Sequence, residues 1–219
     1  SAASDVYKRQ ISNISKDSSY KIENSLANHL VSLGFFEIIN NSLTNNKYSY
    51  LVEKTSNNKP IEILNPLSND LSVLRTSMLF SGLETILYNL NRQQNHLKLF
   101  EFGKTYHLID GNNKEFSHLS ILILGTKSTT HWKKSNDSID FFYVKGIVLT
   151  LLEKIGLSKI KYTYQKSDIF SEGQTLNIGG KNIVDYGIVK KSITQKFDIE
   201  QVVYYLSLIH ISEPTRLAE

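Results

Sequence analysis

Arginine is scarce in the central part of the chain, and one arginine stands where its charge needs an explanation. Between Ile11 and Tyr205 the arginines are Arg75 and Arg92. Arg75 follows the apolar run of the stretch NPLSNDLSVLRTSM (65–78), a pattern typical of a short buried strand that leads into a helix. A guanidinium stays charged and binds carboxylates or phosphates through a planar fork of donors. The position of Arg75 therefore predicts either a buried ion pair or a ligand site.

Two carboxylates are candidate partners for Arg75. Glu101 stands between Phe100 and Phe102 on a predicted strand, so its side chain faces away from both rings. Asp70 precedes Arg75 in the same stretch. Burying a charge is costly unless it is paired, and an arginine can hold a carboxylate in a bidentate pair. We therefore expect a structural ion pair of Arg75 with Asp70 or Glu101 in preference to a ligand site.

Other residue types give little support for metal, phosphate or nucleophile chemistry. The chain has no cysteine, and its histidines lack the close spacing of a zinc site. The glycines, including the pair Gly179-Gly180, match neither a dinucleotide-binding loop nor a P-loop. No serine lies in a nucleophile elbow. The sequence therefore predicts no metal site and no catalytic residue of these kinds. The histidines considered are His29, His96, His107, His118 and His131.

Composition places the chain among ordinary globular domains. It has 219 residues, 40% of them hydrophobic and 21% charged, and a net charge of +4. The lysines are scattered, so electrostatic binding to nucleic acid is expected to be weak if this segment acts alone. The longest apolar run, Ile121–Leu124, is far shorter than the roughly 20 residues of a membrane-spanning helix.

Both ends of the chain resemble translated adapters from transposase-based sequencing libraries. In-frame translation of such adapters gives Asp5–Gln10 at one end and Leu206–Arg216 at the other. We therefore treat 1–10 and 206–219 as adapter-derived tails and exclude them from the fold prediction. Residues 11–205 are then expected to be an internal part of a longer reading frame.

Hydrophobic periodicity predicts an α+β fold. The first element is a long amphipathic helix over 18–33, with Ile22, Leu26 and Leu30 at helical spacing, followed by a strand over 35–43. We expect a mostly antiparallel sheet with helices packed on one side. The remaining predicted helices are 77–90, 140–155 and 192–197, and the remaining strands are 60–64, 71–75, 96–108, 115–125, 159–164, 175–179, 182–190 and 201–205.

The stretch NPLSNDLSVLRTSMLFSGLETILYNLNRQQNHLKLFEFGKTYH (65–107) closely resembles the core domain of the beta subunit of bacterial phenylalanyl-tRNA synthetases. The flanking stretches LANHLVSLGFFEIINNSL (26–43) and HWKKSNDSIDFFYVKGIVLTLLEKIG (131–156) are similar to that family as well. The resemblance implies a class II synthetase-like fold, an antiparallel sheet flanked by helices. It also implies a cytoplasmic (αβ)2 enzyme that uses ATP and Mg²⁺ to charge tRNA(Phe) with phenylalanine.

The same resemblance implies that this domain is not itself catalytic. Active class II domains use arginines of two motifs on the nucleotide phosphates, and His107 stands where the first is expected. No arginine follows Arg92 before the adapter-like tail, and a lysine lacks the planar fork. We therefore expect no cofactor bound by this segment and a scaffold role for Arg75.

The resemblance places the partner, the alpha subunit, on the helix and strand that correspond to the dimer-forming motif. The interface candidates are Ile22, Leu26, Leu30, Phe35 and Phe36, which could instead line the domain's own core. Two alternatives stay open: an RNA-binding module that contacts tRNA, and a stand-alone ligase of the same fold. The tRNA contacts would be Lys133, Lys134, Lys190 and Lys191.

Overall fold

The computed structural model describes residues 14–51, 60–66, 68–126, 138–157, 161–163, 167–178 and 181–209. The helices are α1 (Ile14–Ser32), α2 (Leu79–Leu90), α3 (Phe141–Lys154) and α4 (Lys191–Thr194), with 3-10 turns at Asn46–Tyr50, Asn69–Leu71 and Gln195–Phe197. The strands are β1 (Phe36–Glu37), β2 (Leu43–Thr44), β3 (Val73–Leu74), β4 (Leu97–Ile109), β5 (Asn112–Leu124), β6 (Lys161–Thr163), β7 (Phe170–Ile178), β8 (Lys181–Val189) and β9 (Val203–Ile209).

A seven-stranded sheet of order β1-β4-β5-β9-β8-β7-β6 forms the centre of the molecule. All its pairs are antiparallel except β1 with β4, which places a short parallel strand at one edge. Strands β2 and β3 form a separate two-stranded sheet. The expected α+β fold with a mostly antiparallel sheet is confirmed.

The hairpin of β4 and β5 is longer than its sequence suggested. Its turn is only Asp110-Gly111, with φ of 52° and 76°, whereas the sequence predicted a loop over 109–114. Two successive positive φ angles define the tight turn that suits the twist of a hairpin, and Asp-Gly is a preferred pair for it. The turn fixes the register that sets Glu101 opposite Ser120 and Gly103 opposite His118.

The sheet has a hydrophobic core on each face, so the expectation of helices on one side was wrong. On one face, α1 and α3 pack in what we call the first core; on the other, α2 and the turn after α4 pack in the second core. Successive residues of β5 point alternately into the two cores, which explains its uninterrupted apolar sequence. The first core includes Leu26, Leu30, Phe100, Leu119, Ile121, Ile123, Val144, Val148 and Leu151; the second includes Leu79, Leu83, Ile86, Leu99, Leu122, Leu124, Phe197 and Tyr205.

Helix ends agree with the sequence where capping residues are strong. The Asp140 carboxylate accepts a hydrogen bond from the Tyr143 amide at 2.7 Å and caps α3, whose predicted range began at this residue. In α2 the Ser77 hydroxyl accepts from the Leu79 amide at 3.2 Å. Helix α1 begins at Ile14, four residues before the predicted start.

Strands near the start of the chain are shorter than predicted. The strand expected over 35–43 is reduced to β1 and β2, because the intervening asparagines bond elsewhere: the Leu43 amide donates to Asn41 Oδ1 at 3.0 Å, and the Asn40 amide donates to Glu101. The strand expected over 60–64 is a single bridge between Glu62 and Val73. The predicted turn Gly179-Gly180 lies outside the described residues.

Strand β9 continues past the boundary predicted at Tyr205. Leu206 and Leu208 point into the first core, and Ser207 pairs with Ser120 of β5 and Asp185 of β8. The proposed adapter origin of 1–10 and 206–219 stays a prediction. Within the described residues, no helix combines the length and apolar character needed to cross a membrane.

Two glycines give a matched test of packing in this fold. A Cβ at Gly187 would collide with the backbone of β7, meeting the carbonyl oxygen of Glu172 and lying 2.6 Å from Gly173 Cα. Backbone cannot move aside as a side chain can, so Gly187→Ala is expected to lower the free energy of unfolding by about 2 kcal/mol or more in urea denaturation.

The control is Gly146→Ala in α3, where no described atom lies within 4 Å of the added Cβ. Alanine favours a helix over glycine by about 1 kcal/mol, so this variant should be as stable as the parent or slightly more so. Equal effects of the two substitutions would contradict the described pairing of β7 with β8.

Candidate functional site

A buried ion pair joins the end of β3 to the sheet. Arg75 Nη1 lies 2.8 Å from Glu101 Oε1, and the two residues are 3% and 2% exposed. Arg75 Nε also donates to the carbonyl oxygen of Lys104 at 2.9 Å. The predicted pairing of Arg75 with Glu101 is therefore confirmed. The second oxygen, Oε2, accepts from Asn40 Nδ2 at 2.8 Å, so the carboxylate is shared between two residues, Arg75 and Asn40.

The main chain of Arg75 reinforces the same junction. Its amide donates to the Ser42 carbonyl at 2.9 Å, and its own carbonyl accepts from the Tyr106 amide at 3.0 Å. Asn40 extends the network to α2, because the Thr85 hydroxyl lies 2.8 Å from Asn40 Oδ1. The charged pair thus ties together the segment after β1, the end of β3, β4 and α2.

Gly103 provides the space that the guanidinium occupies. A Cβ at this position would overlap Arg75 Nη2 and lie 2.6 Å from Met78 Cε. Glu101 and Gly103 are two residues apart on β4 and share one face of the sheet. The arginine therefore lies flat over a strand position that has no side chain.

Asp70 does not belong to this ion pair. Its Oδ1 accepts from Asn45 Nδ2 at 2.7 Å near the 3-10 turn Asn46–Tyr50. Asp70 is exposed, whereas Arg75 is buried against the sheet, so the expected contact between them is wrong. An exposed carboxylate is already solvated by water and gains little from a buried partner.

Next to the ion pair, two imidazoles and two hydroxyls form a hydrogen-bonded chain on the same face of the sheet. His118 Nε2 lies 2.9 Å from Thr105 Oγ1, and His118 Nδ1 lies 3.1 Å from Ser207 Oγ. His107 Nε2 lies 3.2 Å from the same Thr105 hydroxyl. Nδ1 of His107 is buried and has no hydrogen-bond partner among the described residues.

Both imidazoles are held neutral. Burial, followed by the nearby His107 and Arg75, lowers the pKa of His118 to about 4. Burial alone lowers the pKa of His107. At neutral pH the chain of groups is therefore uncharged, and it offers hydrogen bonds but no positive charge.

The polar residues continue across the sheet to β8 and β7. Asp185 pairs with Ser207 in the strand register, and its carboxylate accepts from the Thr175 hydroxyl at 2.6 Å. Burial raises the pKa of Asp185, and the Thr175 hydrogen bond opposes that shift. We call the residues Arg75, Glu101, Thr105, His107, His118, Ser207, Asp185 and Thr175 the polar band.

The chemistry available to the polar band is limited by its charges. The guanidinium is neutralised by Glu101, the imidazoles are neutral, and Asp185 is an anion or a neutral acid. The other arginine of the described residues, Arg92, is exposed just after α2, where it stacks 3.4 Å from the centre of the Tyr88 ring. Among the described residues, no cluster of three metal-ligating side chains is found.

Most predicted interface residues belong to the domain's own core. Leu26, Leu30 and Phe35 are 2% exposed or less, and Ile22 packs against the first core. The side chains of Leu26, Leu30 and Phe35 cannot also contact a partner, so these three are wrong as interface candidates, whereas Ile22 is half-buried and stays a prediction. Phe36, 72% exposed on β1, is the most accessible of the five. The buried stripe of α1 explains the placement of Leu26 and Leu30, and the neighbouring residues Phe35 and Phe36 point to opposite sides as the chain extends into β1.

The lysines predicted to contact tRNA are not brought together in the described structure. Lys191 is exposed at the start of α4, and Lys190 precedes it, half-buried, with its amide donating to the Ile169 carbonyl at 2.8 Å. Lys133 and Lys134 lie outside the described residues.

Comparisons with known proteins agree with this architecture. The family described as "Phenylalanyl tRNA synthetase beta chain CLM domain" matches residues 4–209. A phenylalanine–tRNA ligase beta subunit from Bacteroides thetaiotaomicron is 36% identical over 205 residues, which cover 88% of this chain and 25% of that protein. The corresponding protein of Porphyromonas gingivalis is 31% identical with the same coverage. The chain thus spans about a quarter of the length of these curated relatives.

The fold also matches solved synthetase structures. A pyrrolysyl-tRNA synthetase from Desulfitobacterium hafniense superposes with a TM-score of 0.67 at 17% identity, over 92% of this chain and 71% of that chain. At this identity the match concerns the fold alone. The class II synthetase-like fold is confirmed.

Removing one partner of the buried ion pair should be costly. In Arg75→Met the Glu101 carboxylate loses its counter-charge, and the free energy of unfolding is expected to fall by about 3–5 kcal/mol. The double variant Arg75→Met/Glu101→Gln keeps an oxygen for Asn40 but no charge, so it should be more stable than Arg75→Met alone in urea denaturation. Identical stabilities of the two variants would contradict a buried charged pair.

The buried His118 predicts a loss of stability in acid. Its folded pKa of about 4 lies below the ordinary value of 6.5, so between these values the unfolded chain binds the proton and the folded chain does not. Stability is therefore unaffected above pH 6.5 and falls by up to about 3 kcal/mol as the pH drops to 4.

His118→Gln should remove this loss of stability in acid. It can be measured as the difference in unfolding free energy between pH 7 and pH 4.5. The opposite contribution of Asp185 is common to both proteins and cancels in the comparison. An unchanged pH dependence in His118→Gln would show that another group is responsible.

Proposed function

Because the chain belongs to the phenylalanyl-tRNA synthetase beta chain CLM domain family, we propose that it is a structural core domain of a phenylalanine–tRNA ligase beta subunit. In this role it docks the catalytic alpha subunit of a cytoplasmic (αβ)2 enzyme. That enzyme charges tRNA(Phe) with phenylalanine using ATP and Mg²⁺. The domain itself binds neither cofactor and carries out no step of the reaction.

The charge of the polar band is the observation that carries the non-catalytic role. Attack on the α-phosphate of ATP develops negative charge that must be met by preorganised cations or donors. On this face Arg75 is already bound to Glu101, and burial leaves His118 neutral. Asp185 adds a carboxylate that would repel a phosphate whenever it is ionised. These features support a sheet face that organises the domain in preference to one that binds a triphosphate.

The edge of the sheet provides the surface for docking. Strand β1 lies at one edge of the sheet, and Phe36 on it and Ile39 just after it are 72% and 91% exposed. Val31 and Leu33, at the end of α1, are 57% and 38% exposed. We call Val31, Leu33, Phe36 and Ile39 the edge patch. Exposed apolar side chains next to an unpaired strand edge are typical of a surface that another protein covers.

Charging the edge patch should weaken the association with the alpha subunit. A carboxylate at Phe36 or Ile39 would have to be desolvated in an apolar interface, so Phe36→Glu/Ile39→Glu is expected to raise the Kd for the alpha subunit by about a hundredfold. The measurement is calorimetric titration of the beta subunit that carries this domain. Val202→Glu, at a 56% exposed position three strands from β1, is the matched control and should bind normally.

Two outcomes would contradict the proposal. If the edge variant binds the alpha subunit as tightly as the control does, docking occurs elsewhere. Pyrophosphate exchange catalysed by the chain in the absence of the alpha subunit would contradict the non-catalytic role and favour a stand-alone ligase.

A further inference from the structure

A polar groove of about 690 Å³ lies between α1 and the end of α3. Lys21 and Lys154 are its charged residues, and both are exposed. Amides and hydroxyls make up most of the remaining wall. The lining residues are Tyr20, Lys21, Asn24, Ser25, Asn28, His29, Ser32 and Lys154.

The described lining of the groove is positively charged and includes no carboxylate. The neighbouring acids Glu23 and Glu153 are not among its lining residues. Burial is the larger cause of the lowered pKa of His29, and the charge of Lys154 is the second. The positive field of the lysines therefore extends to the imidazole in the wall. A surface depression whose charges are all positive favours an anionic ligand and steers its approach.

Part of the wall is held in place by hydrogen bonds across and along the helices. The Thr150 hydroxyl donates to the Ile147 carbonyl at 2.9 Å, so the 3.4 Å contact between Thr150 Oγ1 and His29 Nε2 must be donated by the imidazole. The Ser32 hydroxyl donates to the His29 carbonyl at 2.7 Å. The imidazole thus links α1 to α3 at the groove before any ligand arrives, which reduces the entropy lost on binding.

The groove adjoins the edge patch through the last turns of α1. Ser32 lines the groove, and its chain neighbours Val31 and Leu33 belong to the edge patch. A partner that covers the apolar patch therefore passes the mouth of the groove. An apolar centre with a charged margin is the usual arrangement of a protein–protein interface.

We infer that this groove receives an acidic segment of the alpha subunit, whose carboxylates lie between Lys21 and Lys154. The inference rests on the proposed docking function and adds the chemistry of the partner surface. The two lysines can pair with one or two carboxylates, and the neutral amides beside them can donate hydrogen bonds to the same oxygens. RNA is disfavoured because nucleic-acid affinity depends on many phosphate contacts, and the groove offers only two lysines.

The test uses the beta subunit that carries this domain and its alpha subunit. Lys21→Glu/Lys154→Glu should raise the Kd for the alpha subunit at least about tenfold near 0.1 M salt, mainly through a slower association rate. The difference from the parent should shrink in about 0.5 M salt, because exposed charges are screened. Lys21→Gln/Lys154→Gln should raise the Kd by less, because these substitutions remove the attraction without adding repulsion.

The matched control is Lys114→Glu/Lys196→Glu, which makes the same change in net charge at exposed positions outside the groove. It should bind normally, and all variants should keep the parent's melting temperature. Normal binding by both groove variants would overturn the inference and leave the docking proposal intact. Failure of the parent itself to bind would overturn both. Loss of tRNA binding, with alpha-subunit binding unchanged, would assign the groove to RNA and also overturn the inference.

Discussion

The buried pairing of Arg75 with Glu101 is the constraint to which the surrounding structure is fitted. Two opposite charges, each almost completely inaccessible, are stable only if every remaining donor and acceptor is satisfied. Asn40 Nδ2 donates a hydrogen bond to the second oxygen of the Glu101 carboxylate, and the Lys104 carbonyl accepts from Arg75 Nε. Gly103 leaves room for the guanidinium. The pair therefore fixes where the chain between β1 and β4 can run.

The same constraint determines what the sheet face can do. A guanidinium committed to Glu101 is not available for a phosphate, and its charge helps to keep His118 neutral. A face with neutral imidazoles, hydroxyls and carboxylates can hold strands together but has little attraction for a triphosphate. This distribution of charge supports the proposed docking role over a catalytic one, and the exposed apolar residues at the sheet edge are the surface proposed for that contact.

The sequence was most informative where local patterning and tertiary structure agree. Helices α2 and α3 follow from periodicity, and the Arg75–Glu101 pair follows from the cost of burying a lone charge between apolar residues. Whether the apolar side of α1 faces the core or an interface could not be predicted, because Leu26 and Leu30 give the same sequence pattern in either case. Their near-zero exposure assigns them to the first core.

The part of the polar band beyond Arg75 and Glu101 was missed for a different reason. His118 and Gly103 are neighbours only in the register set by the two-residue turn Asp110-Gly111, whereas a loop over 109–114 gives no such register. Recognising Asp-Gly as a tight hairpin turn would have placed Ser120 opposite Glu101 and His118 opposite Gly103. Asn40 and Ser207 reach the band through non-local contacts, which no local pattern reveals.

The central claim is that Arg75 is committed to structure, and NMR of its side chain tests this most directly. With arginine labelled by ¹⁵N, the Nε–H resonance of Arg75 is followed during titration with ATP and Mg²⁺. Because Nε donates to the Lys104 carbonyl and the residue is 3% exposed, its hydrogen exchange should be slow and its resonance unchanged at every nucleotide concentration. Rapid exchange, or a saturable shift of this resonance with ATP, would contradict the claim.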